Sequence, residues 1–251
     1  MNKTQKKKIV FSIICMVLVL VIGMGCFLWN FLTSPYNKTD AQNKTIWLCL
    51  GDSITYGETN HEISYADYAG KLTGVQLVKE GFSGYTTEQL YNELDNIEAD
   101  PDIVTVLIGT NDWVYDREMG KDSDQDMSTF CGSMNLLMQK ITQKYPKAEV
   151  IFFTPLYRDM QYNPAIPFTG TINSNGKTVK DFGDSLKACA QRNDVKVYDL
   201  YSESGINATN INRLTNDGTH PNARGQMKIA WKVKKLVEMS KNVDGKSFTE
   251  I

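Results

Sequence analysis

The chain has 251 residues, 41% of them hydrophobic and 22% charged, a composition typical of one globular domain with an additional apolar segment. All 29 acidic residues lie after residue 32, together with all but four of the 27 basic residues. Nucleic acids and other polyanions are poor partners for so acidic a portion, because their binding depends on Lys and Arg neutralising phosphates. Small or neutral substrates suit this charge better.

The first segment of the chain is apolar and long enough to cross a bilayer. Residues 9–32 contain no Asp, Glu, Lys or Arg, and a helix of this length spans a hydrocarbon core of about 30 Å. Residues 1–8 carry four lysines, and positive charge beside a first span tends to stay in the cytoplasm. We therefore expect a cytoplasmic basic N-terminus, a transmembrane signal anchor over 9–32 and an extracytoplasmic remainder.

Two alternatives to a retained anchor stay open. One is a cleaved signal peptide, which would leave a secreted protein, and the other is a lipoprotein signal whose modified residue is Cys26. Against them, the apolar run is longer than a usual signal core, and the three residues before Cys26 lack the expected Leu. A polar linker over 33–44 is then predicted to lead to a domain over 45–241, followed by a polar tail over 242–251.

Within the domain, runs of strand length alternate with amphipathic segments. The runs are rich in Val, Ile and Leu and almost continuously apolar, as strands buried on both faces are. They lie at 46–50, 75–78, 103–108, 150–153 and 195–200. Helices are predicted at 65–72, 87–97, 127–145, 179–192 and 222–239. This alternation predicts an α/β fold with a parallel sheet of about five strands, covered by helices on both faces.

The first strand runs into Gly51-Asp52-Ser53-Ile54-Thr55. Ligands of open parallel sheets collect at the carboxyl ends of the strands. A serine at this turn can present its hydroxyl as a nucleophile, while nearby backbone N–H groups face an anion. The alternative is that Ser53 serves only as a helix cap.

The second and third strands are followed by candidate hydrogen-bond donors. Gly84 comes after the second strand, where a backbone N–H unhindered by a side chain can donate to an oxyanion. Asn111 comes after the third strand, and its side-chain N–H₂ is a neutral donor of the same kind. The structural alternatives are a turn ahead of a helix capped by Thr86 or Thr87, and a loop amide that binds its own backbone.

The connection over 156–177 is longer than an ordinary loop and is expected to flank the site. Trp113 and Tyr157 are candidate substrate-binding residues, because aromatic rings at this edge can line a sugar or acyl site; Tyr115 and Tyr162 are further candidates. All four rings can equally belong to the core.

The last motif, Asp217-Gly218-Thr219-His220-Pro221, precedes the final helix. An Asp three residues before a His in a tight turn can bind one ring nitrogen and leave the other to accept a proton from a nucleophile. The chain has only two histidines, and the other, His61, is expected at the surface. Asp217 and His220 also suit a metal pair, but no further ligands have the spacing of a metal site.

Three cysteines lie after the apolar segment, at Cys49, Cys131 and Cys189, and none belongs to a Cys-x-x-Cys pair. No zinc or redox motif is present, and no cofactor is expected. Buried thiols are the simpler expectation, with one disulfide as the alternative.

In this order, the four polar motifs between residues 50 and 221 resemble the SGNH hydrolases, also called GDSL esterases and lipases. The resemblance implies a flavodoxin-like three-layer α/β/α sandwich and a serine hydrolase that acts on esters. By this resemblance Ser53 would be the nucleophile, His220 the base and Asp217 the acid that orients it. Gly84 and Asn111 would be the oxyanion donors, together with the backbone N–H of Ser53.

One position departs from the pattern of that family. Its second block commonly begins with an Asn about five residues before the glycine, where this chain has Lys79. The departure puts in doubt how the loop after the second strand is anchored. It does not put the reaction in doubt.

The predicted function is a serine esterase that cleaves carboxylic esters, such as O-acetyl or other short acyl esters, outside the membrane through an acyl-enzyme. Its expected partners are a small-molecule, carbohydrate or lipid ester and, through the N-terminal helix, the membrane. Two alternatives are a cell-surface carbohydrate O-acyltransferase and a non-catalytic surface-binding module. No Gly-x-Ser-x-Gly pentad points to an α/β-hydrolase, and no Gly-x-Gly-x-x-Gly or P-loop points to a nucleotide.

Overall fold

The computed structural model describes residues 3–37, 45–159 and 171–241. The chain divides into two compact units, Met1–Ser34 and Pro35–Ile251. The first unit contains α1 (Lys3–Thr33), whose segment Lys8–Thr33, with a mean hydropathy of 2.9, is long and apolar enough to cross a membrane. A signal sequence meets the same criterion. Most of the predicted linker, 38–44, and the predicted tail, 242–251, lie outside the described residues.

The second unit is built on five parallel strands, which confirms the predicted sheet. They are β1 (Ile46–Gly51), β2 (Gln76–Gly81), β3 (Ile103–Leu107), β4 (Glu149–Phe153) and β5 (Lys196–Tyr198). The strands pair in the order β2-β1-β3-β4-β5, with Leu50 opposite Val106 and Val106 opposite Phe152. This is the flavodoxin-like order, in which a crevice opens at the carboxyl ends of β1 and β3.

Helices cover both faces of this sheet and complete the α/β/α sandwich. After α1 the helices are α2 (Ser53–Tyr56), α3 (Tyr65–Thr73), α4 (Thr87–Glu93), α5 (Thr110–Val114), α6 (Phe130–Lys144), α7 (Val179–Arg192), α8 (Leu200–Glu203), α9 (Ile211–Leu214) and α10 (Ala223–Lys241). On one face α3 packs against α10, and on the other α4 and α7 pack against α6.

Alternate strand residues face the two helical layers. Leu50, Val106 and Phe152 are fully buried together with side chains of α4, α6 and α7. On the opposite face, the Tyr65 ring of α3 meets Phe153 edge-on, with ring centroids 6.4 Å apart. Burying one such side chain contributes about 1.5–3 kcal/mol, so these rows hold the strands and their carboxyl ends in fixed positions.

Some elements end earlier or later than predicted, mostly where a side chain caps a helix. The helix predicted from 127 begins at Phe130, because Thr129 caps it. The strand predicted to reach 200 ends at Tyr198, because Asp199 caps α8. The helix predicted over 87–97 ends at Glu93 and continues as a single 3₁₀ turn. The short helices α2, α5, α8 and α9 were not predicted, since four or five residues show no clear period.

Two glycines let α2 lie against the strand ends. A Cβ at Gly51 would collide with the Leu107 carbonyl and the Thr55 hydroxyl, and a Cβ at Gly81 would collide with the Tyr56 backbone. Only glycine permits so close an approach of two backbones. The N-terminus of α2 is thereby placed directly at the carboxyl end of β1.

Candidate active site

Ser53 is the first residue of α2, immediately after β1. The cap of that helix is Asp52, whose Oδ1 accepts the Ile54 N–H at 3.0 Å. Capping, the alternative role for this serine, therefore falls to its neighbour and leaves the Ser53 hydroxyl available. Ser53 is only 5% exposed, so most of the residue is buried.

The Ser53 hydroxyl faces the turn that carries Asp217 and His220. Ser53 Oγ lies 2.9 Å from His220 Nε2, although the two residues are 167 positions apart. His220 Nδ1 lies 2.6 Å from Asp217 Oδ2, and Asp217 Oδ1 accepts the backbone N–H groups of Thr219 and His220 at 3.0 and 2.7 Å. When the ring proton is on Nδ1, facing the carboxylate, Nε2 accepts the hydrogen bond from the seryl hydroxyl.

The hydrogen bonds of this turn keep Asp217 ionised. Burial acts to raise the pKa of the carboxyl, but the hydrogen bonds from the His220 ring, the His220 backbone and the Thr219 N–H outweigh it. The pKa of Asp217 consequently lies below its ordinary value. An ionised carboxylate beside Nδ1 orients the ring and stabilises the imidazolium that forms when Nε2 takes a proton.

Gly84 lies in the loop after β2, and Asn111 lies in the short helix α5 after β3, at the same edge of the sheet. Gly84 has a φ of 80°, in the left-handed region that favours glycine, and it precedes α4, which Thr86 caps. Asn111 lies in α5 and donates an Nδ2 hydrogen to the Tyr85 carbonyl at 2.9 Å. This bond ties the loop after β3 to the loop after β2. A primary amide has two N–H hydrogens, so a second one can donate to a ligand.

Two buried aspartates, to which the motifs assign no role, also lie here. Asp112 accepts the Thr87 N–H at 2.9 Å and the Thr87 hydroxyl at 3.0 Å, and so holds the start of α4. Burial raises the pKa of Asp112 and that of Asp52 to about 6 each. The only sequence signal for them was adjacency to Ser53 and Asn111 at strand ends.

A buried arginine was also missed by the sequence patterns. Arg158 follows β4, is 3% exposed, and reaches the hydroxyl groups of Thr110 and Thr219 with its two terminal nitrogens. It lies in the connection over 156–177, of which residues 160–170 are outside the described part. A single arginine in a long loop belongs to no periodic pattern, so nothing in the sequence indicated its burial.

The structure changes the expectation for the aromatic residues. Trp113 is fully buried and donates its indole N–H to the Lys177 carbonyl at 2.7 Å. Its predicted role in substrate binding is therefore corrected to a packing role, because no part of the ring reaches the surface. Tyr157 is half-buried against Tyr201. Tyr115, in contrast, is 63% exposed, and Tyr162 lies outside the described residues.

Lys79, the departure from the family pattern, anchors the loop after α2. Its ammonium group donates to the Glu62 carbonyl at 2.6 Å and the Tyr56 carbonyl at 3.3 Å. It also pairs with the buried Asp67 carboxylate at 2.6 Å. These contacts anchor the segment after α2 and the start of α3, which are distinct from the loop after β2 that carries Gly84.

The other histidine and the three cysteines of the domain take no part in the hydrogen bonds that join Ser53, His220 and Asp217. His61 is exposed and has a φ of 53°. Cys49, Cys131 and Cys189 are buried free thiols. Within residues 3–37, 45–159 and 171–241, no three His, Cys, Asp or Glu side chains are placed to hold a metal ion together.

Known proteins resemble the chain in both sequence and fold. An acetylxylan esterase from Xylanibacter ruminicola is 24% identical over 231 residues, which is 81% of this chain but 45% of that protein. The chain thus spans less than half the length of this relative. A protein from Lactobacillus plantarum superposes with a TM-score of 0.71 at 23% identity, covering 78% of this chain and 98% of that one. A variant of an acetyl xylan esterase from Geobacillus stearothermophilus superposes with a TM-score of 0.55 at 20% identity, covering 76% of this chain and 93% of that one.

The family comparison agrees with the geometry of the site. The model of the GDSL-like lipase/acylhydrolase family matches residues 49–228, a range that contains β1, the turn of Ser53 and the turn of His220. This match extends over more than half of the chain and includes every motif that carried the resemblance. The chain belongs to the GDSL-like lipase/acylhydrolase family, the SGNH hydrolases, whose members hydrolyse ester bonds.

Proposed function

We propose that this chain is a serine esterase that hydrolyses carboxylic esters through an acyl-enzyme at Ser53. The observation that carries the proposal is the continuous hydrogen-bonded chain of carboxylate, imidazole and hydroxyl, with separations of 2.6 and 2.9 Å. Such an arrangement lets the imidazole remove the seryl proton as the hydroxyl oxygen attacks a carbonyl carbon.

The proposed reaction proceeds in two halves. His220 takes the Ser53 proton, and the tetrahedral oxyanion is stabilised by the N–H groups of Ser53 and Gly84 and by the Asn111 amide. His220 then gives the proton to the departing alcohol, and the acyl group stays on Ser53. In the second half, His220 removes a proton from water, and the resulting attack releases the acid and restores the serine.

The proposed substrate is a carbohydrate that carries short acyl esters, above all O-acetyl groups. One support is the similarity to two proteins named as acetylxylan esterases. The other is Tyr115, whose hydroxyl lies 3.8 Å from the place that a Cβ on Gly84 would occupy. An exposed phenol ring beside a proposed oxyanion donor offers a flat face and a hydrogen-bonding group to a sugar.

The proposed location is outside the membrane, with the segment 9–32 as an uncleaved anchor. The support is the apolar length of α1 together with the lysines that precede the span. An anchored and acidic domain suits a substrate of the cell surface or the medium better than a nucleic acid.

The decisive test replaces the proposed nucleophile. Ser53→Ala in the full chain is expected to abolish cleavage of a short-chain chromogenic ester and labelling by a fluorophosphonate probe. Ser123→Ala removes an exposed hydroxyl distant in sequence from every motif and is expected to leave both unchanged. Ester cleavage that persists in a folded Ser53→Ala variant would refute the assignment.

A further inference from the structure

We propose that Arg158 is a positioning residue that holds Asn111 and His220 in their places around Ser53. The inference rests on the proposed function, and it concerns a side chain whose hydrogen bonds to described residues go to the neighbours of Asn111 and His220.

The guanidinium group bridges the two loops that carry these residues. Arg158 Nη1 donates to Thr110 Oγ1 at 2.7 Å and to the Thr110 carbonyl at 3.3 Å. Arg158 Nη2 donates to Thr219 Oγ1 at 2.8 Å. Thr110 immediately precedes Asn111, and Thr219 immediately precedes His220. Because a guanidinium is a rigid planar fork, it sets the separation of its two acceptors and hence of the two loops.

Arg158 is itself immobilised on both sides. Its guanidinium carbon lies 4.9 Å from the centroid of the buried Trp113 ring, and that ring is held by its bond to the Lys177 carbonyl. The next residue, Asp159, donates its backbone N–H to the Gly218 carbonyl at 2.9 Å, within the turn that carries His220. The arginine side chain is therefore held in one position by its contacts, unlike a mobile cation at the surface.

The charge of Arg158 also suits this place. Asp52 and Asp217 are the carboxyl groups that act on it, and although burial lowers the pKa of Arg158 to about 10, the side chain stays cationic at neutral pH. A positive charge behind the turn offsets the two carboxylates that flank the serine and the imidazole. Arg158→Lys separates the two contributions, because lysine keeps the positive charge but lacks the planar geometry of the guanidinium group.

Misplacement of a reacting group by about 1 Å can cost about 100-fold in rate. We therefore expect Arg158→Lys to lower kcat for a short-chain chromogenic acetate about 10- to 100-fold. KM should change by less than about 3-fold, because a side chain buried to this degree has no surface for the substrate.

The experiment uses the full chain and three further variants. Thr219→Val and Thr110→Val each remove one hydroxyl acceptor of the fork. Thr105→Val is the matched control, because it removes a buried hydroxyl that accepts the Trp47 indole N–H at 2.9 Å within the sheet. Kinetic constants and thermal unfolding are measured for each single variant and for Arg158→Lys combined with Thr219→Val.

If Arg158 acts by bridging Thr110 and Thr219, Thr110→Val and Thr219→Val each lower kcat. The fold-loss in kcat of the double variant, Arg158→Lys with Thr219→Val, is then smaller than the product of the two single fold-losses. Thr105→Val lowers the unfolding temperature and leaves kcat unchanged. A folded Arg158→Lys variant with wild-type kcat overturns the inference, as does a fully multiplicative double variant. Should Arg158→Lys not fold, unchanged kcat in both valine variants overturns it.

Failure of the positioning role can be distinguished from failure of the proposed function. Activity that survives Ser53→Ala would refute the serine mechanism and with it the role of Arg158. Activity that is lost in Ser53→Ala but retained in Arg158→Lys would refute only the positioning role.

Discussion

Asp52 is a buried carboxyl group next to the nucleophile. Burial raises its pKa to about 6, while the Ile54 N–H, His220 and Arg158 act to lower it. Its Oδ2 atom has no hydrogen-bond partner among the described residues. A buried carboxylate with an unsatisfied oxygen destabilises the fold, but its negative charge favours the imidazolium that His220 becomes during the reaction.

Asp52→Asn is therefore predicted to stabilise the fold and slow the reaction. Between its ordinary value of 3.8 and about 6, the folded protein holds a proton that the unfolded chain has lost. The contribution of Asp52 to stability accordingly falls as the pH rises through this window, and the cost is complete above about pH 6. Removing that charge should add roughly 1–3 kcal/mol to the free energy of unfolding at pH 8.

Denaturant unfolding at pH 5 and pH 8 checks this expectation, together with kcat at pH 8. The gain from Asp52→Asn should be smaller at pH 5, because part of the wild-type protein is already neutral at this position. A variant with equal or lower stability than wild type at pH 8 would contradict the prediction.

Tyr115 is the residue on which the proposed carbohydrate specificity depends. Tyr115→Ala should raise KM for acetylated xylo-oligosaccharides about 3- to 10-fold, because aromatic contacts of this kind contribute about 0.5–1.5 kcal/mol. The kinetic constants for a small chromogenic acetate should stay close to those of wild type. Tyr198→Ala provides a comparison at the opposite part of the sheet, in β5. Equal loss of affinity for both substrates would argue against a sugar-binding role.

At the scale of elements, the site is assembled from loops that follow parallel strands and are tied to one another. The segment after α2 contacts the histidine turn, since the Asn216 side chain donates to the Thr59 carbonyl at 3.0 Å. Lys79 holds the same segment from β2 through the carbonyl groups of Tyr56 and Glu62. A lysine at the position where the family commonly has an asparagine therefore supports the loop through backbone carbonyls and a buried carboxylate.

Lys79→Met is predicted to destabilise the fold by about 3–5 kcal/mol, because it leaves the Asp67 carboxylate buried without its cation. Adding Asp67→Asn should recover part of this loss by removing the uncompensated charge. Equilibrium denaturation of the two variants measures the difference. If the double variant is no more stable than Lys79→Met alone, the buried charge is not the source of the destabilisation.

At the scale of the whole molecule, the apolar helix and the hydrolase domain form separate compact units. The second unit includes Tyr36, which donates its N–H to Asp67 at 2.9 Å and its hydroxyl to the Val75 carbonyl at 2.7 Å. The segment predicted as linker, 33–44, thus includes a residue that is hydrogen-bonded to the second unit.

A chain that starts at Pro35 should be soluble and keep the kcat/KM of the full chain, whereas a chain that starts at Thr45 should lose about 5 °C in unfolding temperature with the Tyr36 contacts. A separate prediction concerns the anchor. The full chain and its Cys26→Ala variant should both sediment with membranes, since the proposed anchor is the helix and not a lipid. A mature wild-type protein whose first residue is a lipid-modified Cys26, detected by mass spectrometry, would favour the lipoprotein alternative. Fractionation and thermal unfolding make these comparisons.

The sequence by itself determined the class of fold and the order of its elements. Five apolar runs alternating with amphipathic segments favour a parallel sheet covered by helices, and this pattern is local enough to read along the chain. The motifs around Ser53, Asn111 and His220 were visible for the same reason, because each is a short run of residues at the end of one element.

Only the tertiary structure decided which side chains meet. The 2.9 Å contact between Ser53 and His220 joins positions 167 apart, and the burial of Trp113 and Arg158 depends on neighbours from several loops. Trp113 and Tyr115 are two aromatic residues in one short stretch of chain, yet one is core and the other is exposed. Burial and long-range contacts arise from the packing of distant segments, and that packing has no signature in the spacing of residues along the chain.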